Sequence, residues 1–422
     1  MEPLNRLERA WVLYDVGNSA FVLMTSTIIP IFFKNLAASA GISDADSTAY
    51  WSYAAALCTL IVAVLGPTLG AVADTKGFKK PLFLGFVLTG CLCCAVLSLP
   101  AGWLAFLALF VVAKVGYSGS LIFYDAMLTD VTDDRRMDMV SSKGYAWGYL
   151  GSCIPFVACL LLVLTAEQTG LGTARATAVA FVITAIWWLG VSLPLLRAYR
   201  QVHFVPRQPH LIRTSFRRLG RTLADIRGQK QVFLFLLAFF FYIDGVYTII
   251  DLATSYGKDV GIGDTDLVLA LLLTQVVAFP CSLLFARLAR RFRPEQLIQV
   301  CIGGYFFIAL FALQLDTAWE FWFLAVCVAV FQGAIQALSR SYYAQIIPKE
   351  KAAEYFGFFD IFGKGASFFG ALLMGLSTQL FDTSKAGVAA LALLFPIGLV
   401  LLRRAARTGT TAAPVADIQP QA

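Results

Sequence analysis

The chain has 422 residues, 59% of them apolar and 14% charged, against roughly 45–50% and 25% in an ordinary soluble domain; a soluble globule is excluded. Its 33 Lys and Arg against 26 Asp and Glu leave a net charge of +7, a surplus that reads as a topology signal beside a membrane and not as a nucleic-acid surface. Only two histidines occur, His203 and His210, so zinc hydrolysis, haem b ligation and His-Asp acyl transfer lack their residues; no enzyme active site, metal centre or cofactor is expected.

A helix needs about 20 mostly apolar residues to cross a hydrocarbon core about 30 Å thick. Twelve such runs follow one another at 11–36, 50–73, 81–99, 102–124, 145–165, 175–196, 232–254, 266–286, 297–315, 319–338, 355–377 and 386–402, the last being the shortest. The first carries Tyr14, Asp15 and Asn18 where a signal peptide would be uninterruptedly apolar, so it reads as a span. With the N-terminus inside, 27 of the 33 basic residues fall on the inner face, 4 on the outer face and 2, Lys114 and Lys364, within spans. That bias predicts a multi-pass protein of the cell membrane with both termini cytoplasmic. The nine cysteines all lie within runs and form no disulfide framework; Cys91 to Cys94 is a C-x-x-C without a second ligand pair and reads as packing.

The longest polar stretch, 197–230, carries nine basic residues and one acid. It separates an N-terminal six-helix bundle, 1–196, from a C-terminal one, 231–422, that ends in a short cytoplasmic tail. Arg213, Arg217, Arg218, Arg221 and Lys230 suit either a helix on the anionic leaflet or a solvated linker. The halves echo each other: Tyr14-Asp15 in the first run answers Tyr242-Ile243-Asp244 in the seventh, and Tyr124-Asp125-Ala126 before a Gly-rich run answers Tyr343-Ala344 before another. Six plus six with parallel repeats predicts an all-α membrane protein of two pseudo-symmetric bundles, although Gly spacing also serves helix packing alone.

The turn after the second run reads Gly70-Ala-Val-Ala-Asp74-Thr-Lys76-Gly77-Phe-Lys79-Lys80 and resembles the G-x-x-x-D-x-x-G-[RK]-[RK] signature of the major facilitator superfamily. Glycines there permit close helix approach and a tight turn, and Asp74 suits a neighbouring helix N-terminus or a basic side chain. Gly70, Asp74, Gly77, Lys79 and Lys80, with Arg340, are therefore gating candidates. The opening Glu8-Arg9-Ala-Trp11-Val-Leu-Tyr14-Asp15-Val-Gly-Asn18-Ser19-Ala20-Phe21, the stretch Gln336-Ala-Leu-Ser339-Arg340-Ser341 and the run Phe356-Gly357-Phe358-Phe359-Asp360-Ile361-Phe362-Gly363-Lys364 resemble the vacuole-effluxer-like branch of that superfamily. The chain departs from that branch at Val16-Gly17 (Trp-Ala there), at Asp125 (Asn there) and at Thr129 (Pro there). The resemblance covers essentially the whole chain and implies the major facilitator fold, a monomer and, from the fungal members, export of amino acids.

A charge at mid-membrane costs a few kcal/mol or more, which makes each one a functional candidate. Lys114, Asp244 and Lys364 lie near mid-depth, and Asp360 is one turn from Lys364 and able to pair with it. Asp15 and Asn18 share a face, and Gln332, Gln336 and Arg340 make a polar stripe on the tenth run. Asp15, Asn18, Lys114, Asp244, Gln332, Gln336, Asp360 and Lys364 are thus expected around one cavity, with Tyr14, Tyr242 and Phe368 as aromatic neighbours. The expected function is secondary transport of a small polar or zwitterionic solute, with a proton as coupling candidate and Asp244 or the Asp360–Lys364 pair as its carrier. A lipid or lysolipid flippase of the same fold and a non-transporting membrane sensor or scaffold are the open alternatives.

Overall fold

The computed structural model describes residues 3–99, 102–206, 220, 222–259, 261, 263–381 and 383–410. One half holds α1 (Arg6–Ser26), α2 (Ile28–Ser39), α3 (Asp44–Ala73), α4 (Lys79–Ala95), α5 (Trp103–Val131), α6 (Asp134–Leu164) and α7 (Thr173–Ala198). The other holds α8 (Lys230–Asp259), α9 (Asp264–Leu288), α10 (Pro294–Ala312), α11 (Ala318–Ile346), α12 (Ala352–Phe381), α13 (Ser384–Ala392) and α14 (Leu394–Thr410). Helices dominate because a chain in hydrocarbon must satisfy its own N–H and C=O groups. Among the described residues ten helical segments are long and apolar enough to cross a membrane, α1 with α2 and α13 with α14 each counting as one. The expected third run is the 17-residue α4, and the expected eleventh is α12.

Both breaks have a local cause. Pro30 offers no N–H to the Ser26 carbonyl, and the Ser26 and Thr27 hydroxyls donate instead to the carbonyl oxygens of Val22 and Leu23 at 3.1 and 2.6 Å, so α1 stops at Ser26 and α2 restarts at Ile28. Pro396 likewise leaves the Ala392 carbonyl without its helical donor, and the chain breaks at Leu393 between α13 and α14. Two expected boundaries are corrected. The last run is helical to Thr410, well past 402, and α6 starts at Asp134 instead of near 145, capped by Asp133, whose carboxylate accepts the Arg136 N–H at 3.1 Å. Hydropathy sees only the apolar part of a helix; the polar first turns of α6 are held by contacts with α11 and not by lipid.

The internal echo has a packing basis in each half. Tyr14 shares a hydrogen bond with Ser120 at 2.6 Å, joining α1 to α5, and Tyr242 shares one with Ser339 at 2.7 Å, joining α8 to α11. Trp11 stacks on Tyr124 at 4.4 Å and Phe235 on Tyr343 at 5.9 Å. Tyr14 and Tyr242, expected beside a cavity, are instead fully buried within their own halves; the Phe368 side chain lies outside the described residues.

The segment between the halves is tied down at both of its described ends. After α7, Thr75 and Val205 form a β-bridge, Gln201 Oε1 accepts the Gly77 N–H at 2.9 Å, and Asp130 Oδ1 accepts the His203 N–H at 2.8 Å. Before α8, Thr222 bonds Glu354, and Gln229 donates to the Tyr355 hydroxyl at 2.8 Å. Arg213, Arg217, Arg218 and Arg221 lie outside the described residues.

Candidate functional site

On the face from which α1 starts, called here the terminal face, the two halves are joined by buried polar contacts. Asp74, at the end of α3, accepts two backbone N–H groups from the start of α12: Ala353 to Oδ1 at 2.9 Å and Glu354 to Oδ2 at 2.8 Å. The free N–H groups and dipole of a helix N-terminus suit a carboxylate of this kind. Gly70 makes the approach possible, since a Cβ there would run into the Ala353 carbonyl. Gly77 sits at φ 85°, where its lack of a side chain lets the turn between α3 and α4 close.

Lys79 is wholly buried, 3.2 Å from Asp130 Oδ2 and 3.8 Å from Asp74 Oδ1. Asp130 also accepts from Tyr199 and from the backbone at 202–203, so this carboxylate is saturated. Lys80 is half-buried and outside this cluster. Further contacts across the same face are Lys349–Asp134 at 2.8 Å and Ser341 donating to Asp138 at 2.5 Å.

Arg340, on α11, makes a further contact between the halves and is 3% exposed. Its guanidinium donates to Asp15 Oδ2 at 3.2 Å (α1), Asp125 Oδ1 at 3.1 Å (α5), and the Ser141 hydroxyl and carbonyl at 2.9 and 3.1 Å (α6). It also lies 4.6, 5.4 and 4.5 Å from the ring centroids of Trp11, Tyr124 and Tyr145. All of these partners belong to the other half. Such a planar, permanently charged fork suits two carboxylates at once.

Above Arg340 a cavity of about 400 Å³ opens between the halves. Of the expected site residues, Asp15, Asn18, Gln332, Gln336, Asp360 and Lys364 line it, together with Arg340. Asp360 and Lys364 pair across one turn of α12 at 2.7 Å. Asn18 donates to the Tyr14 carbonyl at 2.8 Å, and Gln336 to the Gln332 carbonyl at 3.1 Å. Tyr117, Tyr145, Tyr149, Tyr247, Phe239, Phe356 and Phe359 supply aromatic walls.

Two expected members are elsewhere. Lys114 is not among the lining residues; its ammonium lies 5.8 Å from the centre of the Phe110 ring. Asp244 faces α12, where its Oδ1 accepts the Gly370 N–H at 2.8 Å, and it has no exposure. Their depth followed from sequence position, but the neighbour each side chain meets depends on how the helices rotate and pack. Asp125 lines the cavity without having been expected as a site residue; a carboxylate eleven residues from Lys114 on the same helix face was the available signal.

The chain is matched over residues 5–408 by the family model described as vacuole effluxer Atg22 like. It is 44% identical over 407 residues to the uncharacterized MFS-type transporter YxiO of Bacillus subtilis, with 95% of each chain covered. It is 24% identical to autophagy-related protein 22 of Coccidioides immitis, over 85% of this chain and 73% of that one. Among solved structures it is similar to the major facilitator superfamily transporter FucP in the outward conformation, with a TM-score of 0.72, 14% identity and coverage of 94% of this chain and 98% of that one. It is also similar to the proton:xylose symporter XylE, with a TM-score of 0.69, 12% identity and 94% of each chain covered. At these identities the structural likeness bears on the fold, which is the major facilitator fold.

Proposed function

Since the chain belongs to the vacuole effluxer Atg22-like family and is a major facilitator transporter, we propose that it carries a neutral amino acid across the cell membrane by exposing the central cavity to each side in turn. The observation that carries this reading is the cavity wall, where Lys364, Arg340 and four carboxylates stand among aromatic rings. A zwitterion entering a low-dielectric site needs a partner for each of its charges, because an unpaired charge there is heavily penalised. Lys364, half-exposed beside Asp360, is the partner for a carboxylate, and the rings receive an apolar side chain. A proton gradient is the proposed drive.

The 27-to-4 distribution of basic residues supports cytoplasmic termini, which makes the terminal face cytoplasmic and the described conformation the one closed to the cytoplasm. A reporter active only in the cytoplasm and fused after Ala422 is expected to give full signal; activity of a reporter that needs the opposite compartment would reverse the assignment.

The substrate reading is checked in proteoliposomes, with radiolabelled uptake under an imposed proton gradient and under counterflow. Neutral branched-chain or aromatic amino acids are expected to move, and sugars and dianions are not. Lys364→Ala is expected to weaken uptake more than Lys364→Arg does, since the arginine keeps a charge for the carboxylate. Movement of a sugar, nucleoside or lipid with no movement of any neutral amino acid would discard the zwitterion reading.

A further inference from the structure

The cavity wall is unbalanced in charge. Asp15, Asp125, Asp251 and Asp360 line it against Arg340 and Lys364, so the ionised wall carries two more negative charges than positive. Lys364 sits against Asp360, reaching both of its oxygens at 2.7 and 2.8 Å, and keeps an exposed side toward the cavity. Arg340 is divided between Asp15 and Asp125.

Asp125 differs from Asp15 in what it has left over. Its Oδ1 takes the Arg340 bond, none of the described hydrogen bonds reaches its Oδ2, and its side chain is 20% exposed against 9% for Asp15. The guanidinium that it touches lies against three aromatic rings of the same half, so its surroundings already suit a positive charge. Nearby on the cavity wall, the buried amide nitrogen of Gln332 has no hydrogen-bond partner, a donor placed to take an acceptor from the same occupant.

We propose that Asp125 receives the ammonium group of the transported solute from the cavity side, and that this competes with Arg340 for the carboxylate and loosens the cytoplasmic closure. The proposal rests on the transport reading above and names the cation subsite of that cavity. Arg340 holds the halves together through N-half partners alone, so an ammonium that shares Asp125 weakens a contact between the halves without touching either bundle's own packing.

Methylammonium is the probe, and hydrogen–deuterium exchange of the purified full-length protein is the readout. Methylammonium chloride is expected to raise amide exchange saturably at 74–79 and 352–356, where the latch lies. Tetramethylammonium chloride at the same ionic strength, with no N–H to donate, is expected not to. Asp125→Asn is expected to shift the half-saturating concentration by about tenfold or more, the loss of one hydrogen bond to a charged group. Unaltered exchange elsewhere in the variant shows that it is folded. Equal responses in wild type and Asp125→Asn, or equal effects of the two cations, would overturn the proposal. If no amino acid moves in proteoliposomes but the Asp125-dependent response persists, the cation subsite stands and the amino-acid reading falls.

Discussion

Arg340→Ala is expected to abolish transport and to open the terminal face. The substitution removes the one cation shared by Asp15 and Asp125 and leaves both carboxylates facing each other in a buried site. Removing one partner of a buried ion pair typically costs about 3–5 kcal/mol, because the remaining charge is neither solvated nor paired. Here that cost falls on the described conformation, in which α11 meets α1, α5 and α6 through this side chain. Exchange at 337–345 and 352–356 is therefore expected to rise, and counterflow to vanish. Arg340→Lys retains the charge but not the planar fork, so it is expected to hold one aspartate and to show intermediate exchange. Transport by Arg340→Ala at the wild-type rate would remove this residue from the gate, and the lysine variant keeps the test meaningful if the alanine variant fails to fold.

Asp74→Asn is expected to abolish net transport while leaving solute affinity within a few-fold. The carboxylate gives one oxygen to each of two N–H groups at the start of α12. An amide has a single acceptor and turns its own NH₂ toward the second donor, so one bond becomes a repulsion and the charge facing the helix N-terminus is lost. Lys79 keeps Asp130 in this variant, so it is not left as an isolated buried charge. The latch lies at the face and not in the cavity wall, which is why binding and transport are expected to separate. Equilibrium binding and counterflow measured on the same preparation check this; an unchanged rate would take Asp74 out of the mechanism.

Composition and run length determined by themselves that this chain is a helical membrane protein, because a stretch of apolar residues in lipid has only internal partners for its backbone. Gly70, Asp74 and Gly77 lie close in sequence, so a helix end and a tight turn follow from spacing alone, whereas the burial of the Asp74 carboxylate against α12 does not. Position within the apolar runs also marked Asp15, Asp360 and Lys364 as charges that have to find a partner or face a cavity, and all three line one.

Only the tertiary structure decided which partner each charge found. Arg340 meets Asp125 across 215 positions and Asp15 across 325, separations that no local pattern encodes. Asp74 reaches Ala353 across 279. Asp244 and Lys114 were both expected at the cavity, yet one turns to the α12 backbone and the other to a Phe ring. Hydropathy reports depth along one axis; the direction in which a side chain points is set by helix rotation and by contacts with the opposite half, and those are settled when the bundles pack.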